Sequence, residues 1–462
     1  MDKSVVNYNA YGAYFCNNYK ILKVVAASHT MINIYALGGY NEVGKNMTCI
    51  EVDNEAVILD MGLYMDRFIA VQERGEMNFE TLKREDAIPD ERPIEKIRKK
   101  VKAIIVTHAH LDHIGAVKWM ASHYKCPIVS TPYAVEVMKK NAKNLDNIVR
   151  VNVNSTYRIS KNMTAEFINV THSVPQASII NIETKYGGIL YGLDYKNDNH
   201  PTIGRKTNIK KLKRLENTRL LIADSTNADE ERKTFSENIA KEMLRDIMMG
   251  MEIEGHGLFL TTFSSHMARL KSMLQLSKAI GRKPVFIGRS MADYIAAAEE
   301  TGIVNFSEEA EIIRSPSRAE KRLSQMNRKR EEYAFIVTGG LGEKNAVLTG
   351  IVDEKFALKI EPQDFVIFSC ETIPTPTIQA NRSVLEQKLH RKGARLFKDV
   401  HVSGHAARED LRDLIKIVSP EQILPAHGDL KKTAAMASLA GEMGYELGKN
   451  VHILQNGQML SI

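Results

Sequence analysis

Three imidazoles and one carboxylate fall within six positions of the run Val106-Thr107-His108-Ala109-His110-Leu111-Asp112-His113-Ile114-Gly115. Neutral His nitrogens and an Asp oxygen are a ligand set for zinc, with manganese as a harder substitute. Along an extended segment His108 and His110 turn to one side. A turn after Leu111 carries Asp112 and His113 toward a second position, so two neighbouring cations can share this one loop. The alternative is a His-rich surface turn that holds nothing. Packing four such groups behind a buried strand without a cation would leave costly unpaired polar atoms, which favours the metal reading.

The elements around this run have to aim it. Val101 to Val106 is apolar and reads as a buried strand, and Ala116 to Met120 reads as helical, so the cluster sits where a strand opens onto a helix. Other strand-like runs also end in ligand-type residues. Ala56 to Leu59 delivers Asp60, a candidate partner for a metal-bound His or water. Met163 to Val170 leads to His172, and Gly188 to Gly192 leads to Asp194. Phe397 to Val402, which contains His401, leads to Ser403 and His405, and Gln422 to Ala426 leads to His427. Strands that end this way place their terminal residues on one rim of a sheet. Ile32 to Leu37 is followed by the Gly-rich turn Gly38 to Asn46. That turn lacks the GK[ST] of a P-loop and is not followed by a helix, so it reads as a hairpin into Met47 to Val52. Asp66 to Glu91 is charged and loop-like, and Ile94 to Lys100 forms a short amphipathic helix.

From about Ile209 the pattern changes. Leu220 to Ala223, ending in Asp224, opens a series of strands alternating with the helices Glu237 to Met251, Met267 to Ile280 and Met291 to Glu299. The series runs through Asp364 to Ser369 and exits at the Pro-bearing Ile373 to Pro376. This reads as a doubly wound α/β unit whose ligand face lies at the carboxyl ends of its strands.

Composition bounds the class. Of 462 residues, 44% are hydrophobic and 26% charged, as in globular proteins, and no apolar run is long enough to span a bilayer. A net charge of +7 suits a polyanionic partner. Cys16, Cys49, Cys126 and Cys370 are far apart with no CxxC pair, which argues against a disulfide framework and fits a reducing cytoplasm. Met1 to Thr30 is interrupted by Lys20 and Lys23 and does not read as a signal peptide. It is expected to be an extension or an upstream start, with the functional start near Met31.

The HxHxDH run resembles the second motif of the metallo-β-lactamase superfamily, and every other ligand position of that pattern is filled. The resemblance implies an αββα sandwich. His108, His110 and His172 would hold one Zn2+, Asp112, His113 and His427 the other, and Asp194 would bridge them, with Mn2+ as a substitute. Asp60 would be the supporting carboxylate of the first motif. The block from Lys210 to Pro376 resembles a β-CASP insert, with Asp224, Ser403-Gly404-His405 and Pro425-Ala426-His427-Gly428 as its additional motifs. His401-Val402-Ser403-Gly404-His405-Ala406, Gly288-Arg289-Ser290-Met291 and Gly38-Gly39-Tyr40-Asn41-Glu42-Val43-Gly44 are similar to the ribonuclease J family, most to its archaeal type.

That family implies an extension over 1–30, a metallo-β-lactamase domain over 31–208 and 379–462, and a β-CASP domain over 209–378. It implies hydrolysis of single-stranded RNA, mainly 5′ to 3′ from a monophosphorylated end and with endonucleolytic cuts open. Asp60, Asp112, His401, Ser403 and His405 would be the catalytic group. Ser264, Ser265, His266, Arg289 and Ser290 would hold the 5′ phosphate. For each, a plainer reading stands beside it: a structural histidine for His405, a helix cap or a solvated Arg for the phosphate group. Lys206, Lys210, Lys211, Lys213 and Arg214 would line an RNA path or form a solvated face. A homodimer is open, though not one built through the further C-terminal domain of the bacterial enzymes. In place of their Gln-Gly-Glu loop stands Gly340-Leu341-Gly342-Glu343. The rival readings are an endonuclease of the cleavage and polyadenylation factor type, a small-molecule hydrolase of the same superfamily, and a metal-free RNA-binding scaffold.

Overall fold

Ile32, Ile34 and Ala36 are buried on one face of a strand that runs from Ile32–Gly38, and that alternation sets the register of the first sheet. The structure is a computed structural model and describes residues 32–142, 145–372 and 375–462. The expected N-terminal extension and Met31 lie outside the described residues, as do Ile373 and Pro374. The first sheet has seven strands in the order Met459–Ser461, Ile32–Gly38, Met47–Val52, Glu55–Leu59, Val101–Ile105, Ile128–Ser130 and Ile148–Arg150. The Gly-rich turn joins Ile32–Gly38 to Met47–Val52 as an antiparallel pair, and pairing becomes parallel from Glu55–Leu59 onward.

A second, six-stranded sheet runs Gln422–Ala426, Thr218–Asp224, Gly187–Gly192, Ser178–Thr184, Thr164–Asn169 and Thr156–Arg158. One apolar cluster joins the two sheets face to face. Ile34, Val57, Leu59 and Ile105 from the first meet Phe167, Ile180, Ile222 and Leu424 from the second. The opposite faces pack against helices, which gives the expected four-layer sandwich. A third sheet of six strands is wholly parallel, in the order Glu311–Ile313, Lys283–Ile287, Tyr333–Val337, Leu258–Thr261, Phe365–Phe368 and Arg395–Phe397. Fully buried strands such as Tyr333–Val337 are the mark of a parallel sheet covered on both faces.

Three stretches depart from the sequence reading. Thr218–Asp224, expected to open the insert, pairs in parallel with Gly187–Gly192 and Gln422–Ala426 in the second sheet. A continuous apolar strand signals burial on both faces but not which sheet receives it. At the other boundary, the strand Arg395–Phe397, reached through the helix Pro376–Arg391, extends the third sheet beyond the expected exit. That last strand also stops at Phe397 rather than Val402, because Asp399 takes a φ of 62° and breaks the extended chain. The stretch read as loop between Asp66 and Glu91 contains the helices Met65–Arg74 and Phe79–Arg84. Its charge masks Ile69, Val71 and Leu82, which are buried.

A buried ion pair within the insert also reaches the segment that leads to Ser403. Arg269, on the helix Met267–Ala279, has no exposed surface. Its Nε donates to Glu237 Oε1 at 2.6 Å and its Nη1 to Ser369 O, Ser369 Oγ and Val400 O at 2.9, 2.7 and 3.0 Å. Burial alone would raise the Glu237 carboxyl, but His266 and Arg269 hold it well below its ordinary range. This stabilisation is therefore complete at neutral pH and is lost as pH falls through the folded value. Removing the guanidinium leaves a buried carboxylate without its main partner. We expect Arg269→Leu to destabilise the fold by about 3 kcal/mol, read as a lower urea midpoint.

Candidate metal centre

The residues of the centre follow the carboxyl ends of strands, and three of them stand where the backbone turns left-handed. Asp60 follows Glu55–Leu59 with φ 59°, Asp194 follows Gly187–Gly192 with φ 44°, and His427 follows Gln422–Ala426 with φ 58°. Such a turn costs a non-glycine residue about 1–3 kcal/mol and persists only where its surroundings enforce it. Here Asp60 N donates to Ile105 O at 2.8 Å and His427 N to Gly39 O at 2.6 Å. Asp60–Leu63 then lies against the metal-ligand loop, with Met61 N donating to His113 O at 2.7 Å and Leu63 N to Leu111 O at 3.0 Å. Gly62 permits this approach, since a Cβ there would lie 1.6 Å from Asp112 O.

Two groups of four side chains result. His108, His110, His172 and Asp194 form one, and Asp112, His113, Asp194 and His427 the other. Within each, one ligand-type atom per residue lies within 4.8 Å of all the others. In the first, His110 Nδ1 is 3.1 Å from His108 Nε2 and 3.0 Å from His172 Nε2, and Asp194 Oδ2 is 3.4 Å from both of those Nε2 atoms. In the second, Asp194 Oδ1 is 3.1 Å from His113 Nε2 and 3.4 Å from His427 Nε2, and Asp112 Oδ2 is 3.6 and 3.9 Å from the same two nitrogens. Asp194 belongs to both groups and offers one oxygen to each.

The outward nitrogen of each ring is engaged elsewhere, which turns the inward nitrogen toward the centre, where that of His113 also meets Asn46 Nδ2 at 3.0 Å. His113 Nδ1 donates to Asp60 Oδ2 at 2.7 Å, His172 Nδ1 to Gly404 O at 2.8 Å and His427 Nδ1 to Asn46 Oδ1 at 2.8 Å. Thr107 Oγ1 lies 2.9 Å from His108 Nδ1 and also bonds Asp60, and Ser173 Oγ lies 3.1 Å from His110 Nε2. Gly404 has to be glycine to approach so closely, as a Cβ would stand 3.0 Å from His172 Cε1.

The charge states suit cations. Burial, with neighbouring imidazoles, pulls His108 below its ordinary value and His110 and His172 well below it, so all three offer lone pairs at neutral pH. Burial also acts against His113, but the Asp194, Asp60 and Asp112 carboxylates raise it well above the usual range. Asp194 is held well below the carboxylate range by His113, His427 and His405, against the effect of burial. Its Oδ1 is buried and has no hydrogen-bond partner. A buried anionic oxygen without a donor, facing converging nitrogen lone pairs, is the donor chemistry of a divalent-cation site.

Beside the two groups, His405 Nδ1 donates to Asp224 Oδ2 at 2.9 Å, and its Nε2 faces Asp194 Oδ2 at 3.7 Å. Asp224 is itself fixed by Thr226, whose N and Oγ1 donate to Oδ1 at 2.8 and 2.7 Å. Ser403 Oγ accepts from Asn227 Nδ2 at 2.9 Å and from His405 N at 3.1 Å, which leaves its O–H free to donate. His401 has different neighbours. Its Nε2 is 3.8 Å from Glu371, its Nδ1 is unpartnered, and burial with Arg269 and His266 lowers it to about 3.

The expected phosphate group divides. Ser264, Arg289 and Ser290 line a cleft of about 1090 Å³ that also touches Leu111, Ile114 and Gly115, and Ser264 Oγ lies 2.9 Å from Ser290 Oγ. Ser265 and His266 are buried. His266 Nδ1 accepts from Arg269 N as a helix cap, and its Nε2 faces Glu237 at 3.5 Å. Of the basic run, Lys206, Lys210, Lys213 and Arg214 are exposed and Lys211 pairs with Glu166. Asn46, Thr107, Ser173, Thr226 and Asn227 escaped the sequence reading. Only their adjacency to the Gly-rich turn, His108, His172 and Asp224 could have marked them.

Comparison with known proteins agrees with the geometry. Residues 40–192 match the metallo-beta-lactamase superfamily, 256–387 the family described as ribonuclease J, beta-CASP domain, and 391–454 the Zn-dependent metallo-hydrolase RNA specificity domain. The chain is 43% identical to Ribonuclease J of Pyrococcus abyssi over 94% of this chain and 97% of that protein. It is 40% identical to Ribonuclease J of Methanocaldococcus jannaschii over 93% and 98% respectively. Ribonuclease J of Helicobacter pylori is 28% identical over 94% of this chain and 61% of its own length. A crystal structure of a protein of unknown function from Enterococcus faecalis superposes with a TM-score of 0.63 at 16% identity, covering 94% of this chain and all of the other, which shows the fold alone.

The Asp60 contact carries the prediction here. Asp60→Asn removes the carboxylate that receives the His113 Nδ1 proton while keeping its shape. Metal affinity of chelator-stripped protein should fall about 10–100-fold, measured by isothermal titration.

Proposed function

Because the chain belongs to the ribonuclease J family of metal-dependent ribonucleases with the metallo-β-lactamase fold, we propose that it degrades single-stranded RNA from a 5′-monophosphorylated end toward the 3′ end, with two Zn2+ ions per chain. One observation carries this reading. One cleft is lined both by Leu111, Ile114 and Gly115, from the loop that bears Asp112 and His113, and by Ser264, Arg289 and Ser290. A terminal phosphate held at the second place presents the adjoining backbone to the first.

His108, His110 and His172 would hold one ion and Asp112, His113 and His427 the other, with Asp194 shared. Mn2+ is the substitute that the oxygen ligands admit. When bound, such a pair supplies an activated water and neutralises charge on the phosphodiester. The chain's own residues do the rest. His405 holds a proton for the leaving 3′ oxygen: burial pulls its pKa down, but Asp194 and Asp224 raise it to about 9. Cations on Asp194 would cancel that carboxylate, so the bond to Asp224 is the one that keeps the ring charged and aimed. The free Ser403 O–H donates to a non-bridging phosphate oxygen. Arg289 and the two hydroxyls grip the terminal phosphate, while Phe68 and Phe263 offer apolar cleft wall against which bases stack. Among the described residues no helix is long and apolar enough to cross a membrane, and Cys49, Cys126 and Cys370 are unpaired. Both facts are compatible with work in a reducing cytoplasm.

Digesting one RNA with a 5′ hydroxyl, monophosphate or triphosphate tests the direction and the end. The monophosphate should be consumed fastest, with release starting at its labelled 5′ nucleotide. Equal rates on all three would overturn the end reading and leave a ribonuclease without it. Asp224→Asn should lower kcat about 100-fold or more on the monophosphorylated RNA at unchanged metal content, since it removes the carboxylate that aims and charges the proton donor.

A further inference from the structure

The helix Arg289–Glu300 begins in the cleft with Arg289 and Ser290, the residues proposed to hold the 5′ phosphate. One turn further along, Tyr294 is 7% exposed, and its hydroxyl donates to Ala109 O at 3.2 Å. Ala109 lies between the ligands His108 and His110. Among the described residues this is the one side-chain hydrogen bond from that helix to the 106–115 loop, and it crosses from the inserted unit to the sandwich.

Packing alone would not require this residue. The ring sits in the apolar cluster formed with Ile114, Tyr133, Met138, Met291 and Ile295, where a phenylalanine would fill the same space without burying a hydroxyl. The hydroxyl has a consequence that packing lacks. The Ala109 carbonyl and the His110 amide share one planar peptide unit, so a bond that holds the carbonyl also sets the direction in which His110 leaves the backbone. His110 Nδ1 has two imidazole nitrogens within 3.1 Å, which leaves little freedom for that direction. Ser290 and Tyr294 are also separated by a rigid helical turn, about 6 Å of axial rise. The phosphate cradle and the metal loop are thus mounted on one short rod, fixed at one end by the cradle and at the other by a hydrogen bond to the loop.

We propose that Tyr294 is a positioning residue that sets the spacing between the 5′-phosphate cradle and the His108–His113 loop, and through it the register in which a phosphate-anchored RNA is cut. The proposal rests on the 5′-end reading above. An RNA whose end occupies the cradle depends on that spacing, because its scissile bond must arrive at the centre while its terminus is held. An RNA without the phosphate settles its scissile bond independently and does not feel the rod.

The test compares Tyr294→Phe with the parent on two oligoribonucleotides of one sequence, 5′-monophosphorylated and 5′-hydroxylated, with metal content and melting temperature measured alongside. We expect kcat on the monophosphorylated RNA to fall about fivefold more than on the hydroxylated one, the scale of one lost hydrogen bond, with KM little changed. The first products should spread from one length to several. An unchanged ratio of the two rates, or an equal fall on both, would overturn the proposal, as would a single product length. A parent enzyme that does not distinguish the two RNAs would instead sink the end reading itself. If Tyr294→Phe were to lose metal or melt early, Tyr294→His, which retains a ring with a polar edge, takes its place in the same comparison, with the same outcomes deciding.

Discussion

The shared carboxylate of Asp194 is the constraint on which the centre depends. It is 2% exposed, it is anionic, and it lies between five imidazoles from four separate parts of the chain. A buried carboxylate is tolerable only if cationic charge or donors surround it. The folded chain alone supplies too few donors, since Oδ1 has no hydrogen bond and three of the nearby rings, His108, His110 and His172, are pushed toward their neutral forms. Bound divalent charge would meet the need that Oδ1 leaves open. That need explains why the outward ring nitrogens are all occupied, because a ligand set can close on a cation only if its rings are already turned inward.

The strain at the strand ends follows from the same constraint. Asp60, Asp194 and His427 all adopt left-handed backbone directly after a strand, which turns each side chain across the rim instead of along it. Asp and Asn tolerate this conformation because their short side chains can bond locally, whereas His does so less readily. His427 is accordingly held at both backbone and ring: its backbone N donates to Gly39 O, and its ring is held by Asn46. The Gly-rich turn at 38–46 thus braces the last ligand of the chain from almost four hundred residues away. Phosphate binding, which its glycines superficially suggest, has no place in that role.

How much of this could be read in the sequence depends on whether the signal was local. His108 to His113 declared themselves by spacing, and His172, Asp194 and His427 by their position after apolar runs. The hairpin at the Gly-rich turn and the parallel insert were legible for the same reason. What was not legible depended on partners distant in the chain. Nothing near Thr218–Asp224 says that it completes the second sheet, because a doubly buried strand looks alike in either sheet. Ser264-Ser265-His266 reads as three polar residues at a helix start, yet Ser264 faces the cleft while His266 turns inward to cap its own helix and face Glu237. His401 and His405 lie four positions apart and look equivalent. Only the fold shows that one faces Asp224 and Asp194 while the other lies beside Arg269 and Glu371.

The junction between insert and sandwich completes the argument. A cleft between two loosely jointed domains would let the spacing of its walls drift, whatever groups lined them. Here one apolar cluster runs without interruption from Ile114 and Val117 beside the metal loop to Met291 and Ile295 on the insert's helix. Two of the polar ties around it reach the loops of the centre. Arg269 binds the insert's helix to the carbonyl of Val400, three residues before Ser403, and Tyr294 binds a second helix to the loop of His108 and His110. Buried polar contacts add little net stability over apolar packing, but they demand one geometry where packing accepts several. Their placement at the two loops, beside His108 and His110 and before Ser403, fixes the spacing of the cleft walls at the centre.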